Sequence, residues 1–546
     1  MSGDEACDIV LVGAGHNGLI CAAYLAIAGL SVRVIEAAEV IGGGTATAEL
    51  TLPGFQHDPF STGHFGFMAN PAWADGELPL AQHGLRYLAP DPVLVLPIEG
   101  GDSITLWHDQ RRTAAEFARF SIRDAEAWHQ LCADWVELEP TYYGMMSAAP
   151  AAPGESAAVS LLKETVGRAR SVLGKMSPVR AAMMGLLAAR SATEVINERF
   201  EHPEVRRLML WLVGAIGQPI DRPGTGMMAV AVPALWGKYS WVNAVGGSAA
   251  LPRALGEIIR AHGGDILTSA PVDGIIVEGD RAVGVRLVDG RSYRARRAVI
   301  SSMHVTALPR LLPDVDLPQA FSRKLESWEG GPSAFNVHLA VPQNQTVRTR
   351  FGTVQPVLTG TLTQSGIMRQ LADVEAGRLS SDGLWLLAAC SSAIDPSRAP
   401  AGKGVIKLTT LAPYALDGDP ANWDAVKDDY ADRLVEIYAG LVEGFRPGDE
   451  LGRAVMSPLD IERANSNFFG GSPQAGVMLG HQAGYNRPAA GWASYRMPVA
   501  GLYQTGASTH PGGAVTGWPG RNAARAVMED LQMPVERWLR NDVKHY

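Results

Sequence analysis

A chain of 546 residues is longer than one ordinary hydrophobic core supports, so two or more domains are expected, discontinuous ones included. Its 47 Lys and Arg against 56 Asp and Glu give a formal net charge of −9 with no block of like charge, which removes nucleic acid from the expected partners. The widely spaced Cys7, Cys21, Cys132 and Cys390 show no CxxC or histidine-rich pattern and argue against a metal centre or disulfide framework; with no export signal at the acidic start, the expected compartment is the cytoplasm.

The first predicted element is a strand over 9–12, followed by Gly13-Ala14-Gly15-His16-Asn17-Gly18, a helical pattern to Gly29, and a second apolar strand, 32–35, that ends on Glu36. Strand, glycines, helix, strand and acid in this order form a dinucleotide-binding fingerprint. Gly13 permits the tight turn, Gly15 lets the main chain approach a pyrophosphate, and Gly18 lets the helix pack closely on the strand. The helix N-terminus then faces the phosphates. Glu36 is placed to accept a hydrogen bond from a ribose hydroxyl and disfavours a 2′-phosphate. A membrane span over 9–35 is the competing assignment; the glycines, His16 and Asn17 argue against it.

Gly42, Gly43 and Gly44 form a second flexible stretch suited to lying against a cofactor. His57, Asp58 and His64 follow in a segment punctuated by Gly and Pro, and polar groups on such loops are often functional. From about 114 to 241 the pattern is mostly helical, with a break at 148–155. The Ala-, Leu-, Met- and Arg-rich piece at 160–200 reads as core packing with a solvated arginine face, or as an amphipathic surface in peripheral contact with a membrane or a greasy substrate. Beyond the Gly246-Gly247 turn come a helix to about His262, a strand, and short strands joined at Gly279-Asp280 and Asp289-Gly290, the turn chemistry of an antiparallel meander. Residues 310–485 form a second mixed block with strands over 335–341 and 384–389.

Near the end, a strand over 502–505 leads into a loop with Gly506, Gly512, Gly513, Gly517 and Gly520, then a helix from about Arg521. The N-terminus of that helix is suited to the electron-rich end of a flavin or to its phosphates. The pair formed by GAGHNGL at 13–19 and YQTGASTHPGGAVTG at 503–517 resembles the phytoene desaturase-related family of FAD-dependent oxidoreductases, in particular its branch of pyridine nucleotide-disulphide oxidoreductase domain-containing 2 type proteins.

The resemblance implies an α/β fold. A discontinuous Rossmann-type FAD-binding domain with a β-meander would take 1–90, 240–310 and 486–546, and a mixed α+β substrate domain with a helical part would take 91–239 and 311–485. It also implies FAD in an extended pose, with Gly13, Gly15 and Gly18 on the pyrophosphate, Glu36 on the adenosine ribose, and Gly43 and Gly44 on further phosphate or ribityl atoms. The backbone at Val272 would meet the adenine, and Gly506, Gly513, Val515 and Thr516 would lie along the ribityl chain and isoalloxazine. One departure is that Gly44-Thr45 stands where many relatives carry an Arg after the glycine pair.

No second complete GxGxxG with strand and helix flanks occurs, so a separate nicotinamide domain is not expected. The expected reaction is transfer of a hydride from an apolar organic substrate to flavin N5, with electrons passed on to dioxygen or a quinone. Candidate proton acceptors are His64 and His510, with Asp58 as helper; for each the plainer role is to satisfy a loop or turn. Trp211, Trp236, Tyr239, Trp241, Phe335, Phe468 and Phe469 supply the walls of an apolar pocket or simply core. Two alternatives stand beside dehydrogenation of a C–C bond: a flavin amine or amide oxidase that forms C=N, and a non-redox flavin-dependent isomerase or prenyl-protein chaperone-like binder.

Overall fold

The computed structural model describes residues 6–147, 178–350 and 352–534. Strand Cys7–Val12 sends alternate side chains to opposite faces, Ile9 and Leu11 into one buried cluster and Val10 and Val12 into another. A strand buried on both faces belongs inside a covered parallel sheet. That sheet runs Asp265–Leu267, Val32–Ile35, Cys7–Val12, Ser292–Ser301, Leu502–Gln504, all parallel. Ser292–Ser301 serves a second purpose: its first residues pair antiparallel with Arg281–Leu287, which pairs with Val272–Glu278. The meander read from the Gly/Asp turns is therefore present.

Helices His16–Ile27, Ala250–Ala261 and Trp518–Asp530 cover one face of the parallel sheet. Their packing depends on absent side chains. A Cβ on Gly18 would lie 2.5 Å from the Gly13 carbonyl oxygen, and one on Gly520 would lie 2.3 Å from that of Asn17. Strands from the two ends of the chain thus flank one central strand, and their C-terminal ends open at a common edge. There Ser302 Oγ donates to the Gly13 carbonyl at 3.0 Å and the Thr505 amide donates to the Ser301 carbonyl at 2.8 Å. Open α/β sheets bind their ligands in such a crevice.

The second sheet runs Gly452–Met456, Ser333–Val341, Gly404–Ala412, Leu386–Ala389, Leu358–Thr361, Leu94–Ile98, Asp102–Leu106. It is antiparallel except where Leu358–Thr361 meets Leu94–Ile98. The 94–106 hairpin joins this sheet by long-range pairing that no local pattern announces, and the strand expected over 384–389 starts at Leu386. Helix Trp423–Ala439 covers the face that carries Phe335, Val337 and Leu339. By alternation, Asn336 and His338 lie on the opposite face. Helices Gln110–Phe117, Ile122–Ser147, Ala192–Arg199, Pro203–Gly214 and Met228–Tyr239 build a separate layer around the fully buried Trp128, Trp211 and Trp236. Of the piece read over 160–200, residues 160–177 lie outside the described residues, and the rest holds helices Pro178–Ala189 and Ala192–Arg199. Among the described residues no helix is long and apolar enough to cross a membrane.

Candidate functional site

One continuous cavity runs from the start of helix His16–Ile27 to the second sheet. At its first end Gly15 and Gly18 line it, with Gly43 and Gly44 beside them. Gly13 adopts φ +92°, a conformation that favours glycine, and so turns the chain sharply out of the strand. A Cβ on Gly15 would meet no atom within 4 Å, so this stretch of main chain is open to a close-lying group. Glu36 closes the fingerprint: its carboxylate accepts from the Ala14 amide at 2.5 Å and the Ala38 amide at 2.9 Å. Val272 starts its strand next to this corner, where the Ala270 amide donates to the Glu36 carbonyl at 2.9 Å.

From the other end of the chain, Gly506, Ala507, Ser508, Ala514 and Val515 line the same cavity. Arg487 holds this closing loop in place. Fully buried, it donates to the carbonyls of Gln474, Ala475, Val477, Gln482 and Ala507. Gly513 packs against Gln474 rather than facing the cavity, and the Thr516 carbonyl accepts from Asn70 Nδ2 at 2.9 Å. His16 ties the two ends together by a hydrogen bond to the Ala514 backbone; burial pushes its imidazole down to about 4, so it is neutral at pH 7. Asn17 and Gln474 line the cavity, and Asn17 Oδ1 and Gln474 Oε1 are buried without a hydrogen-bond partner among the described residues. An open glycine cradle at a helix N-terminus together with orphaned polar atoms fits a flavin dinucleotide laid between the two loops.

The two residues read as proton acceptors, His64 and His510, and the helper Asp58 are not among the lining residues of this cavity. His64 is fully buried with Nδ1 at 2.9 Å from the Tyr87 hydroxyl and Nε2 at 3.1 Å from Ser248 Oγ, and burial pushes it down to about 3. His510 turns its Nε2 to the Met145 carbonyl at 2.8 Å. Asp58 pairs with Arg398 at 2.9 Å, both side chains 1% exposed, and accepts from Thr47 Oγ1 and the Ser248 amide. Each braces loops to neighbouring elements.

Three titratable groups do line the cavity: His16, His304 and Lys407. His304 stacks on Phe469 with centroids 5.0 Å apart, and burial pushes it down to about 3. Lys407 lies mid-strand in Gly404–Ala412, 9% exposed, and donates from Nζ to the Phe60 carbonyl; burial pulls its ammonium down to about 8. Beside it Thr409 Oγ1 donates to Asn336 Oδ1 at 2.8 Å, and Asn336 Nδ2 to the Pro59 carbonyl at 3.2 Å. Among the described residues no carboxylate lines the cavity. A lysine inside the otherwise uncharged run GVIKLTTLA is the signal in the sequence that points to this position.

Apolar wall is supplied by Phe60, Phe65, Trp241, Trp385, Leu387 and Leu411, with Ser61, Thr62, Asn465 and Asn467 as polar members of the lining. Of the aromatics read from the sequence, Trp241 and Phe468 line the cavity, whereas Trp211 and Trp236 are core. Phe335 is a correction. Strand alternation turns it to the other face, against Trp423 at 5.2 Å and Tyr430 at 5.0 Å.

Residues 18–528 match the protein family described as flavin containing amine oxidoreductase. The chain is 29% identical to pyridine nucleotide-disulfide oxidoreductase domain-containing protein 2 of Mus musculus, over 96% of this chain and 94% of that one. It is 28% identical to a limonene dehydrogenase subunit from Castellaniella defragrans, over 98% and 97%. Among solved structures, an oxidoreductase from Methanosarcina mazei shares the fold, with a TM-score of 0.58 at 16% identity over 95% of this chain and 99% of that one.

Proposed function

Because the chain belongs to the flavin-containing amine oxidoreductase family and is accordingly an FAD-dependent oxidoreductase, we propose that it dehydrogenates a C–C bond of an apolar organic substrate held against its second sheet. The observation that carries this proposal is the continuity of one cavity: glycine main chain at one end, aromatic and aliphatic residues in the walls at the other, and no carboxylate among its described lining residues. Gly13, Gly15 and Gly18, at the positive end of helix His16–Ile27, would hold the diphosphate, and Glu36 the adenosine ribose. Gly43 and Gly44 line the stretch between, and Gly506 and Val515 the far side. FAD, when bound, supplies a two-electron acceptor.

The protein's own part is to orient the reacting bond and keep water out. Phe60, Phe65, Trp241 and Trp385 do both by enclosing an apolar body. His16 and His304, held neutral by burial, are weak bases at pH 7, so neither is matched to accept a proton there. That favours loss of hydrogen from carbon without a strong general base. Dioxygen or a quinone is the proposed final acceptor.

Amine oxidation is the second reading, favoured by the family description itself. A protonated amine, however, meets the Lys407 cation and no compensating lining carboxylate. Anaerobic mixing of the flavoprotein with alkenes, ketones, amines and amides separates the two. Bleaching of the flavin by non-amine substrates is expected, and bleaching by amines alone would replace this reading with the second. Rapid bleaching by NADH without other substrate would contradict both.

A further inference from the structure

We infer that the substrate is an amphiphile, an apolar body that carries a carboxylate, and that Lys407 binds this carboxylate at the sheet wall of the cavity. The inference rests on the dehydrogenase reading and specifies its substrate class.

Lys407 is buried in mid-strand, opposite His338 on one neighbouring strand and Ala389 on the other. Buried charges are normally paired. The charged and titratable groups around it are Asp58, Arg398, His57 and His338. Asp58 pairs with Arg398 at 2.9 Å and its charge also attracts the Lys407 ammonium, so two cations share one carboxylate. Burial pushes His57 down to about 4 and His338 well below its ordinary value, so both imidazoles are neutral. The cluster therefore keeps one positive charge in excess.

Its hydrogen bonds are incomplete too. An ammonium has three donors, and among the described residues Lys407 Nζ reaches one acceptor, the Phe60 carbonyl. Two residues further along that segment, Thr62 lines the same cavity with its hydroxyl buried and without a hydrogen-bond partner among the described residues. An excess positive charge and a hydroxyl without a partner among the described residues, on a wall whose described lining holds no carboxylate, match a carboxylate in charge and in hydrogen bonding. A hydrocarbon would leave both unmatched, and an ammonium would meet a like charge.

Calorimetric titration of the purified FAD holoenzyme at pH 7 with decanoate, methyl decanoate and decylamine tests this without turnover. Decanoate is expected to bind about 10-fold or more tighter than its ester or the amine, as pairing a buried charge requires. Lys407→Met should erase the preference, and Thr62→Val should weaken decanoate while leaving the ester unchanged. Equal binding of the three probes by the wild type, binding of none, or an undiminished preference in Lys407→Met overturns the inference. The flavin absorbance of each preparation is read in parallel. Its absence would count against the cofactor assignment, whereas loss of carboxylate preference with flavin intact counts against this inference alone.

Discussion

Two glycines three positions apart make opposite predictions. Gly15→Ala places its methyl in space that the protein leaves open, at an extended φ of −67° that alanine adopts freely. It should fold with stability within about 0.5 kcal/mol of wild type, yet purify with little FAD because the methyl stands where the phosphates approach. Gly18→Ala drives its methyl into the Gly13 carbonyl and should cost about 1–3 kcal/mol in addition. Thermal melting and the flavin-to-protein absorbance ratio read both. Lys407 predicts a trade of stability against function. Burial holds it at about 8, below the ordinary 10.5, so the unfolded chain binds that proton more tightly and charged Lys407 destabilises the fold. Lys407→Met should therefore be about 1–4 kcal/mol more stable at pH 7. The destabilisation is full below pH 8 and fades as pH rises to 10.5, so melts of the two proteins should converge there; a less stable Lys407→Met at pH 7 would contradict this. The glycines were legible because a tight turn and a close approach are demands made locally. Lys407 was not, because its neighbours Asn336, Asp58 and Phe60 come from other segments of the chain.

At the scale of elements, the closing loop depends on one side chain. Arg487 satisfies five carbonyls on the loop 474–482 and at Ala507. Arg487→Met would leave these buried acceptors without donors and should cost more than about 3 kcal/mol. Arg487→Lys should recover part of that, since a point ammonium cannot span the same fork. Urea denaturation followed by tryptophan fluorescence measures both. The fingerprint helix, the meander and the glycine loop were legible for a shared reason: periodicity and turn residues are written within a few dozen positions. The second sheet was only partly so. Its strand 94–98 pairs across more than 200 residues with 358–361 and carries 102–106 in as the next strand, and the inward or outward sense of Phe335 depends on which helix covers which face. The loop at 57–64 was correctly read as irregular, but a loop's sequence does not say which way His64 points.

For the whole molecule, neutral buried histidines set an acid limit. His16, His57, His64, His304 and His338 are all pushed below their ordinary 6.5 by burial. Between those lowered values and pH 6.5 the unfolded chain binds more protons, so their contribution is full above pH 6.5 and is lost as pH falls toward 4. Melting should fall steeply across that interval with more than one proton taken up on unfolding; a flat profile would show that these imidazoles stay accessible. The same arrangement brings both glycine loops to one cavity and makes the second sheet its far wall. The most direct measurement of that division of labour is product analysis by mass spectrometry after anaerobic turnover with a quinone acceptor and a panel of apolar substrates and amines. A product two hydrogens lighter with a new C=C bond is the predicted result. An imine or the carbonyl compound from its hydrolysis, formed from amines only, would contradict it.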